Sequence, residues 1–285
     1  MENSIKSCVS YLKSAKSLST NTLISYERDL RQYAAFLAEQ GVRETCQAGE
    51  QMISRYIDRL VALGKAPSTI SRCVASLRAY YRYLIMQGMI EGNPIAGLEA
   101  PKVEKKPPSI LTNQEVQLLI QQPGKTGPKS IRDRAIIKLL YRTGIKVTEL
   151  VSLNMDDVSE DCATIVCREG RKSREVPIIH SCMLCLQDYL RLSRPYLLRE
   201  PDEKAFFINS NGKRLSRQGI WKILKKYSQE ACPGRNITPY TLRHTLAADL
   251  IKSGTDLEAV QTALGNSTKS TLNKYSRCSG ADNKL

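Results

Sequence analysis

The chain has 285 residues, 41% of them hydrophobic and 25% charged, a composition typical of a folded globular protein with one or two domains. No segment of the sequence approaches the ~20 consecutive apolar residues of a transmembrane helix, and the first residues lack the apolar core and cleavage site of a signal peptide. These features predict a soluble, cytoplasmic protein. Membrane binding is disfavoured because the basic residues are scattered over several elements instead of forming one amphipathic helix.

The charge balance favours a polyanionic partner. Lysine and arginine number 43 against 28 acidic residues, which gives a net charge of +15 and a pI near 9.4. Residues 1–101 carry 12 basic and 9 acidic side chains, whereas residues 102–285 carry 31 and 19. Most of the excess therefore lies in the C-terminal two-thirds. A basic surface that is merely solvated is the alternative interpretation.

The nine cysteines are an odd number in a long chain without a secretion signal, so we expect reduced thiols. Cys182 and Cys185 have the spacing of a metal-ligand pair, but the two histidines supply no second pair at zinc-site spacing. Residues 182–190 also fit the apolar face of a helix. Helix packing is the favoured interpretation, and no metal or other cofactor is expected.

Residues 101–108, PKVEKKPP, predict a linker between a domain over residues 1–104 and a second over residues 105–285. The first domain is predicted to be a four-helix unit, with helices over residues 4–15, 20–41, 50–64 and 67–88. Its last helix carries three arginines among three tyrosines: Arg72, Arg78, Arg82, Tyr80, Tyr81 and Tyr83. This face either contacts phosphates or is ordinary helix surface.

The second domain is predicted to be mainly helical with a small antiparallel sheet. Thr112 and Glu115 form a capping-box pattern that begins a helix ending at Gln121, and a longer helix covers residues 130–143. Two short strands, residues 163–167 and 175–179, flank a highly charged turn, and a third strand is expected over residues 205–209. The remaining helices are predicted over residues 217–231, 239–254, 256–265 and 268–276.

The helix over residues 217–231 is rich in basic residues. Trp221 and Leu224 are expected to face the core. The basic side chains are expected to lie in or along a DNA groove: Arg217, Lys222, Lys225 and Lys226.

Three short segments hold residues suited to phosphate chemistry. Tyr240 and Arg243 are three residues apart in a predicted helix and therefore share one face. Lys146 lies just beyond the glycine at which an upstream helix ends. Asn266 follows the end of another helix, and Tyr275 lies nine residues further on.

These motifs resemble those of the tyrosine recombinase family, the phage-integrase and Xer-type enzymes, over essentially the whole chain. The TxxxYxxDL signature of the N-terminal domain is matched by Thr22, Tyr26, Asp29 and Leu30. The box TG-hydrophobic-R-x-x-E-L is matched by Thr143, Gly144, Ile145, Glu149 and Leu150, with Lys146 at the arginine position. The end of the charged hairpin, R-x-V-P, is matched by Arg174, Val176 and Pro177. The box P-H-x-L-R-H-x-x-A is matched by Pro239, Leu242, Arg243, His244 and Ala247, and the LGH box with its following tyrosine by Leu264, Gly265 and Tyr275.

The resemblance implies cleavage and religation of duplex DNA without a metal or a nucleotide. Tyr275 would attack a backbone phosphate and form a 3'-phosphotyrosine link, which a 5'-hydroxyl of another strand reverses. The chemistry needs cations on the non-bridging oxygens and an acid for the departing 5'-oxygen. Arg243 matches one of the family's two arginines, whose planar forks bind two oxygens at once.

The chain departs from the family pattern at four positions. Lys146 supplies a point charge where a bidentate fork is expected. Tyr240 and Asn266 replace histidines; both donate hydrogen bonds, but neither is a proton-shuttling imidazole near neutral pH. Glu169 stands where the hairpin lysine usually lies, and a small change of the turn would let Arg168, Arg171 or Lys172 take its place. The candidate catalytic residues are Tyr275, Arg243, Lys146, Tyr240, Asn266 and Lys172.

Two functions fit these observations, and double-stranded DNA is the partner in both. The first is a site-specific recombinase that grips DNA as a clamp and acts as a homo-oligomer, a tetramer on paired sites, or with a partner recombinase. The second is a non-catalytic DNA-binding or architectural relative that keeps the clamp without the chemistry. The retained tyrosine and arginine favour the first, whereas the altered positions favour the second. An RNA-binding protein is disfavoured because the sequence has no aromatic RNP strand.

Overall fold

The computed structural model describes residues 1–15, 18–102, 108–169 and 172–265. The chain divides into two compact units, Met1–Lys105 and Lys106–Leu285. None of the described helices combines the length and the apolar character required for crossing a lipid bilayer.

The first unit has the four predicted helices: α1 (Glu2–Ala15), α2 (Thr20–Glu39), α3 (Glu50–Ala62) and α4 (Pro67–Met86). Ser19 caps α2, because its side chain accepts a hydrogen bond from the backbone N–H of Thr22. Pro67 lies in the first turn of α4, where its missing N–H costs nothing. Aromatic rings from α2 and α4 form much of the core, and the hydroxyls of Tyr33 and Tyr81 are 2.8 Å apart.

The arginine and tyrosine face of α4 is mainly structural. Arg72 makes two hydrogen bonds of 2.9 Å to the buried carboxylate of Asp29, and Arg78 donates to the carbonyl oxygen of Leu98 at 2.6 Å. Tyr80 and Tyr81 are fully buried in the core. Neither interpretation of this face describes Tyr80 and Tyr81, which are core residues, while Arg72 and Arg78 bond to other parts of the same unit.

The second unit is mainly helical with one antiparallel hairpin, as predicted. Its helices are α5 (Asn113–Gln121), α6 (Pro128–Thr143), α7 (Val147–Ser152), α8 (His180–Leu192), α9 (Arg194–Leu197), α10 (Arg217–Ala231), α11 (Pro239–Lys252) and α12 (Leu257–Leu264). The hairpin is formed by β1 (Thr164–Glu169) and β2 (Lys172–Pro177), with Thr164 opposite Pro177 and Glu169 opposite Lys172. Both strands lie closer to the charged turn than predicted. The capping box of Thr112 and Glu115 at the start of α5 is confirmed.

The prediction of a third strand over residues 205–209 is wrong. Only isolated bridges form there, between Ala205 and Asn154 and between Ile208 and Arg214. The adjacent rings of Phe206 and Phe207 are both buried, although neighbouring residues of a half-exposed strand point to opposite faces. The segment crosses the core instead of lying along a sheet.

Two expectations for the packing of helices have different outcomes. Cys182 is buried and Cys185 half-buried on α8, which confirms that this segment is a helix packed by its apolar face. The expectation that Trp221 faces the core is wrong, since its side chain is 43% exposed. Ile220 and Leu224, one turn apart, take the core-facing positions of α10, and Trp221 is rotated about 100° away from Ile220.

Candidate active site

Arg243 joins the ends of two helices. Its guanidinium donates hydrogen bonds to the carbonyl oxygens of Gly144 and Leu264, and a longer one of 3.4 Å to that of Gly265. Gly144 caps the C-terminus of α6, and Leu264 is the last residue of α12. Carbonyl groups at helix C-termini lack intrahelical partners and carry partial negative charge, so a cation is favourable there.

The backbone and the packing at this junction favour glycine at position 144. Its φ of +60° is left-handed, and a Cβ at this position would clash with Cδ2 of Leu264 and lie 3.1 Å from Cδ2 of Leu246. The turn leads directly through Ile145 to Lys146, the residue that precedes α7. The close approach of the helices therefore sets where the Lys146 side chain begins.

A buried carboxylate connects Lys146 to the hairpin. Oε2 of Glu149 accepts the backbone N–H of Lys146 at 2.8 Å and Nη2 of Arg174 at 3.0 Å. Arg174 also packs against Gly265, where φ is +62° and a Cβ would clash with Nε of Arg174. The segments that carry Lys146, Arg174 and Gly265 thus meet at one place.

Three of the candidate catalytic residues, Lys146, Tyr240 and Arg243, line a single cavity of about 160 Å³. Arg217 and Trp221 from α10 line the same cavity. None of the described residues that line it is acidic. The Tyr240 side chain is 66% exposed, so its hydroxyl is accessible to a ligand. A cavity with three cationic side chains and an accessible hydroxyl is suited to binding a phosphate.

The remaining candidates are placed only in part. Asn266 and Tyr275 lie outside the described residues, as does Arg171. The backbone of Lys172 begins β2, while its side chain is not among those described. Nε of Arg168 donates to Oδ1 of Asp157 at 2.8 Å, so this alternative hairpin cation is already part of an ion pair.

The buried thiol of Cys167 interacts electrostatically with Glu149 and Arg174. The pKa of Cys167 is raised to about 11, mainly by burial and also by the negative charge of Glu149, although the positive charge of Arg174 lowers it. Cys167 is therefore protonated near neutral pH. A protonated thiol is a weak nucleophile.

The sequence analysis does not predict Trp221 as a site residue, and it predicts Arg217 only as a residue that lies in or along a DNA groove. The sequence contains their spacing, but it does not show which side of α10 faces the core. They are four residues apart and share one face of α10, which the core positions Ile220 and Leu224 leave open to the surface. The sequence pattern of α10 does not identify which other helix that face approaches.

Comparisons with known proteins identify the family of the chain. A profile described as the phage integrase family matches residues 109–280, and one described as the phage integrase N-terminal SAM-like domain matches residues 5–88. A Caldanaerobacter subterraneus subsp. tengcongensis protein assigned to the tyrosine recombinases is 40% identical over 264 residues, which cover 93% of this chain and 89% of that protein. The tyrosine recombinase XerD of Staphylococcus epidermidis is 35% identical over 280 residues, covering 98% and 95%.

A solved structure shares the fold. The crystal structure of the XerH site-specific recombinase, bound to palindromic difH substrate in a post-cleavage complex, matches with a TM-score of 0.76 and 19% identity. The match covers 99% of this chain and 87% of that one. The chain belongs to the phage integrase family. Its relatives are named as tyrosine recombinases, which supports the recombinase hypothesis and not the non-catalytic one.

Proposed function

We propose that this protein is a site-specific recombinase that cleaves and rejoins duplex DNA through a 3'-phosphotyrosine intermediate. The cavity lined by Lys146, Tyr240 and Arg243, in a chain of the phage integrase family, carries the proposal. Residues 1–104 serve as the core-binding domain on DNA, and residues 105–285 as the catalytic domain.

The covalent step is an exchange of phosphodiester bonds. The hydroxyl oxygen of Tyr275 bonds to the phosphorus and loses its proton, while the bond from phosphorus to the 5'-oxygen breaks and that oxygen takes up a proton. A 5'-hydroxyl of another strand then attacks the phosphotyrosine and releases Tyr275. The phosphotyrosine bond conserves the energy of the cleaved bond, so no nucleotide is consumed.

The cationic side chains stabilise the charge that develops on the phosphate. A guanidinium has five N–H donors, so Arg243 can bind non-bridging oxygens while it keeps its bonds to the helix ends. Lys146 adds a point charge at the same cavity. Tyr240 and Asn266 donate hydrogen bonds from their side chains. Lys172 is the hairpin cation that protonates the departing 5'-oxygen.

The partner is double-stranded DNA, and strand exchange is carried out by a homo-oligomer, a tetramer on paired sites, or together with a partner recombinase. The net charge of +15 supports attraction to the phosphate backbone. We place the protein in the cytoplasm, since its proposed substrate is DNA.

The test is covalent capture on a nicked substrate. A duplex that the protein binds is first selected from a random-sequence pool, and a nick is placed so that the short fragment after cleavage diffuses away. Cleavage then traps the protein on DNA as a species that survives denaturing electrophoresis. The covalent species is expected with the natural sequence and is expected to be absent with Tyr275→Phe.

The outcome separates the two functions. A Tyr275→Phe variant that binds the same duplex with unchanged affinity is the control, because only the nucleophilic oxygen is removed. Binding without any covalent species, over nicks placed at each position of the duplex, would overturn the recombinase and leave the DNA-binding relative.

A further inference from the structure

Trp221 is the only tryptophan of the chain, and its indole is 43% exposed on α10. The core-facing positions of the helix are held by Ile220 and Leu224, which are fully buried. An indole is large and mainly apolar, so leaving nearly half of it in water forgoes hydrophobic stabilisation that burial would supply. A solvent-facing tryptophan beside a cationic cavity is the arrangement expected of a ligand contact.

The surroundings of Trp221 define the ligand's chemistry. Lys146, Arg217 and Arg243 supply positive charge to the cavity, and none of the described lining residues is acidic. The indole of Trp221 and the ring of Pro239 provide apolar surface in the same cavity. The site therefore suits a ligand that is anionic at one end and apolar at the other.

A nucleotide of the DNA backbone has this combination. Its phosphate oxygens are anionic, and its deoxyribose presents a mainly apolar face next to the phosphate. The bases of an intact duplex stay paired and stacked, because extruding one costs the energy of unpairing and unstacking, so the sugar is the apolar part within reach. The cavity of about 160 Å³ is accessible from the surface, since two of its lining residues, Tyr240 and Trp221, are exposed.

We propose that Trp221 is a positioning residue whose indole packs against the deoxyribose adjoining the phosphate held by Lys146 and Arg243. This contact rests on the recombinase function proposed above and extends it to the sugar. Phosphate contacts provide most of the affinity for DNA, so the indole mainly orients the phosphate for attack. Trp221→Ala is expected to slow covalent capture about tenfold or more, with DNA affinity within about threefold of the natural sequence, and Trp221→Phe is expected to restore most of the rate.

The single tryptophan makes the contact directly observable. The protein is titrated with the selected duplex, un-nicked and labelled with fluorescein, so that anisotropy reports binding independently of the indole. At saturation, packing on the sugar is expected to shift the tryptophan emission to shorter wavelength and to protect the indole from acrylamide, because water leaves its surface. Unchanged emission and acrylamide quenching at saturating DNA would overturn the contact, and so would the strong quenching produced by stacking on a base.

The control moves the reporter away from the cavity. In the double variant Trp221→Phe and Tyr196→Trp, the single indole lies on α9 at a position that is 77% exposed and does not line the cavity. Its emission is expected to stay constant on DNA binding, whereas equal shifts at both positions would overturn the local contact. An absence of any anisotropy change would overturn the proposed function as well, so the two failures are distinguishable.

Discussion

Nη2 of Arg174 lies 3.0 Å from Oε2 of the buried carboxylate of Glu149. The same oxygen accepts the backbone N–H of Lys146, so one side chain fixes both the second strand of the hairpin and the residue that precedes α7. Arg174 in turn fills the space that Gly265 leaves open. Glu149 therefore acts through other residues, as a positioning group for Lys146.

Glu149→Ala is expected to destabilise the second unit. The substitution leaves the half-buried guanidinium of Arg174 without its carboxylate and removes a cap from the N-terminus of α7. The expected loss is about 2 to 3 kcal/mol, below the 3 to 5 kcal/mol of a fully buried pair because the Arg174 side chain is 21% exposed. Urea unfolding followed by circular dichroism measures the change in the free energy of unfolding.

A matched control is available in the same unit. Asp188 and Arg191 form an ion pair at 3.5 Å between exposed side chains on α8, so Asp188→Ala is expected to cost at most about 1 kcal/mol. Equal losses for Glu149→Ala and Asp188→Ala would show that the Glu149 carboxylate has no special structural role.

Local signals in the sequence were sufficient for most of the fold. The capping box of Thr112 and Glu115 locates the start of α5, and glycine ends α6, because both features depend on residues a few positions apart. The segment over residues 205–209 was misread because β propensity does not reveal that Phe206 and Phe207 are both buried against Tyr189.

The site residues that belong to short sequence motifs could be predicted. The residues that reach the site only because distant segments meet could not. Lys146, Tyr240 and Arg243 were identified from their motifs, and the structure brings them to one cavity. Trp221 is expected, together with Leu224, to face the core, and for Trp221 this expectation is wrong. Its exposure depends on which neighbouring position of α10 faces the core, a property of tertiary packing that a period of 3.6 residues does not resolve.

Alkaline pH is expected to destabilise the first unit through its buried tyrosines. Burial raises the pKa of Tyr33 from 10.0 to about 12, so the unfolded chain loses this proton before the folded chain does. The stabilisation is fully present below about pH 10 and is lost as the pH rises towards about 12, at about 1.4 kcal/mol per pH unit for this residue. Urea unfolding at a series of pH values measures the slope. Tyr33→Phe should reduce the slope of the unfolding free energy against pH, whereas the exposed-site control Tyr196→Phe should leave it unchanged. Identical slopes in the natural sequence and both variants would contradict the assignment of this pH dependence to Tyr33.

DNA binding is expected to weaken steeply with salt. If about six phosphates are neutralised, counterion release lowers the affinity on the order of a thousandfold between about 50 and 200 mM salt.

Lys222 is exposed on α10, and Lys222→Glu is expected to weaken binding more than Lys13→Glu, which reverses an exposed charge on α1. Fluorescence anisotropy over a salt series gives both the affinity and its slope. Equal effects of the two reversals would indicate diffuse attraction, and an affinity independent of salt would exclude a phosphate-binding surface.

The Lys146→Arg substitution distinguishes an active site that lacks one guanidinium group from a site that no longer cleaves DNA. Lys146 lines the cavity beside Arg243, where a second guanidinium would bind two phosphate oxygens at once. One restored donor in the transition state is worth about 2.7 to 4 kcal/mol, so covalent capture of DNA is expected to accelerate about a hundredfold to a thousandfold. Single-turnover capture on the nicked duplex measures the rate, and Lys146→Gln, which removes the charge, should slow it.

The covalent species must vanish when Tyr275→Phe is added to Lys146→Arg. If neither Lys146→Arg nor the natural sequence forms it while both bind the duplex, the catalytic proposal fails and DNA binding alone remains.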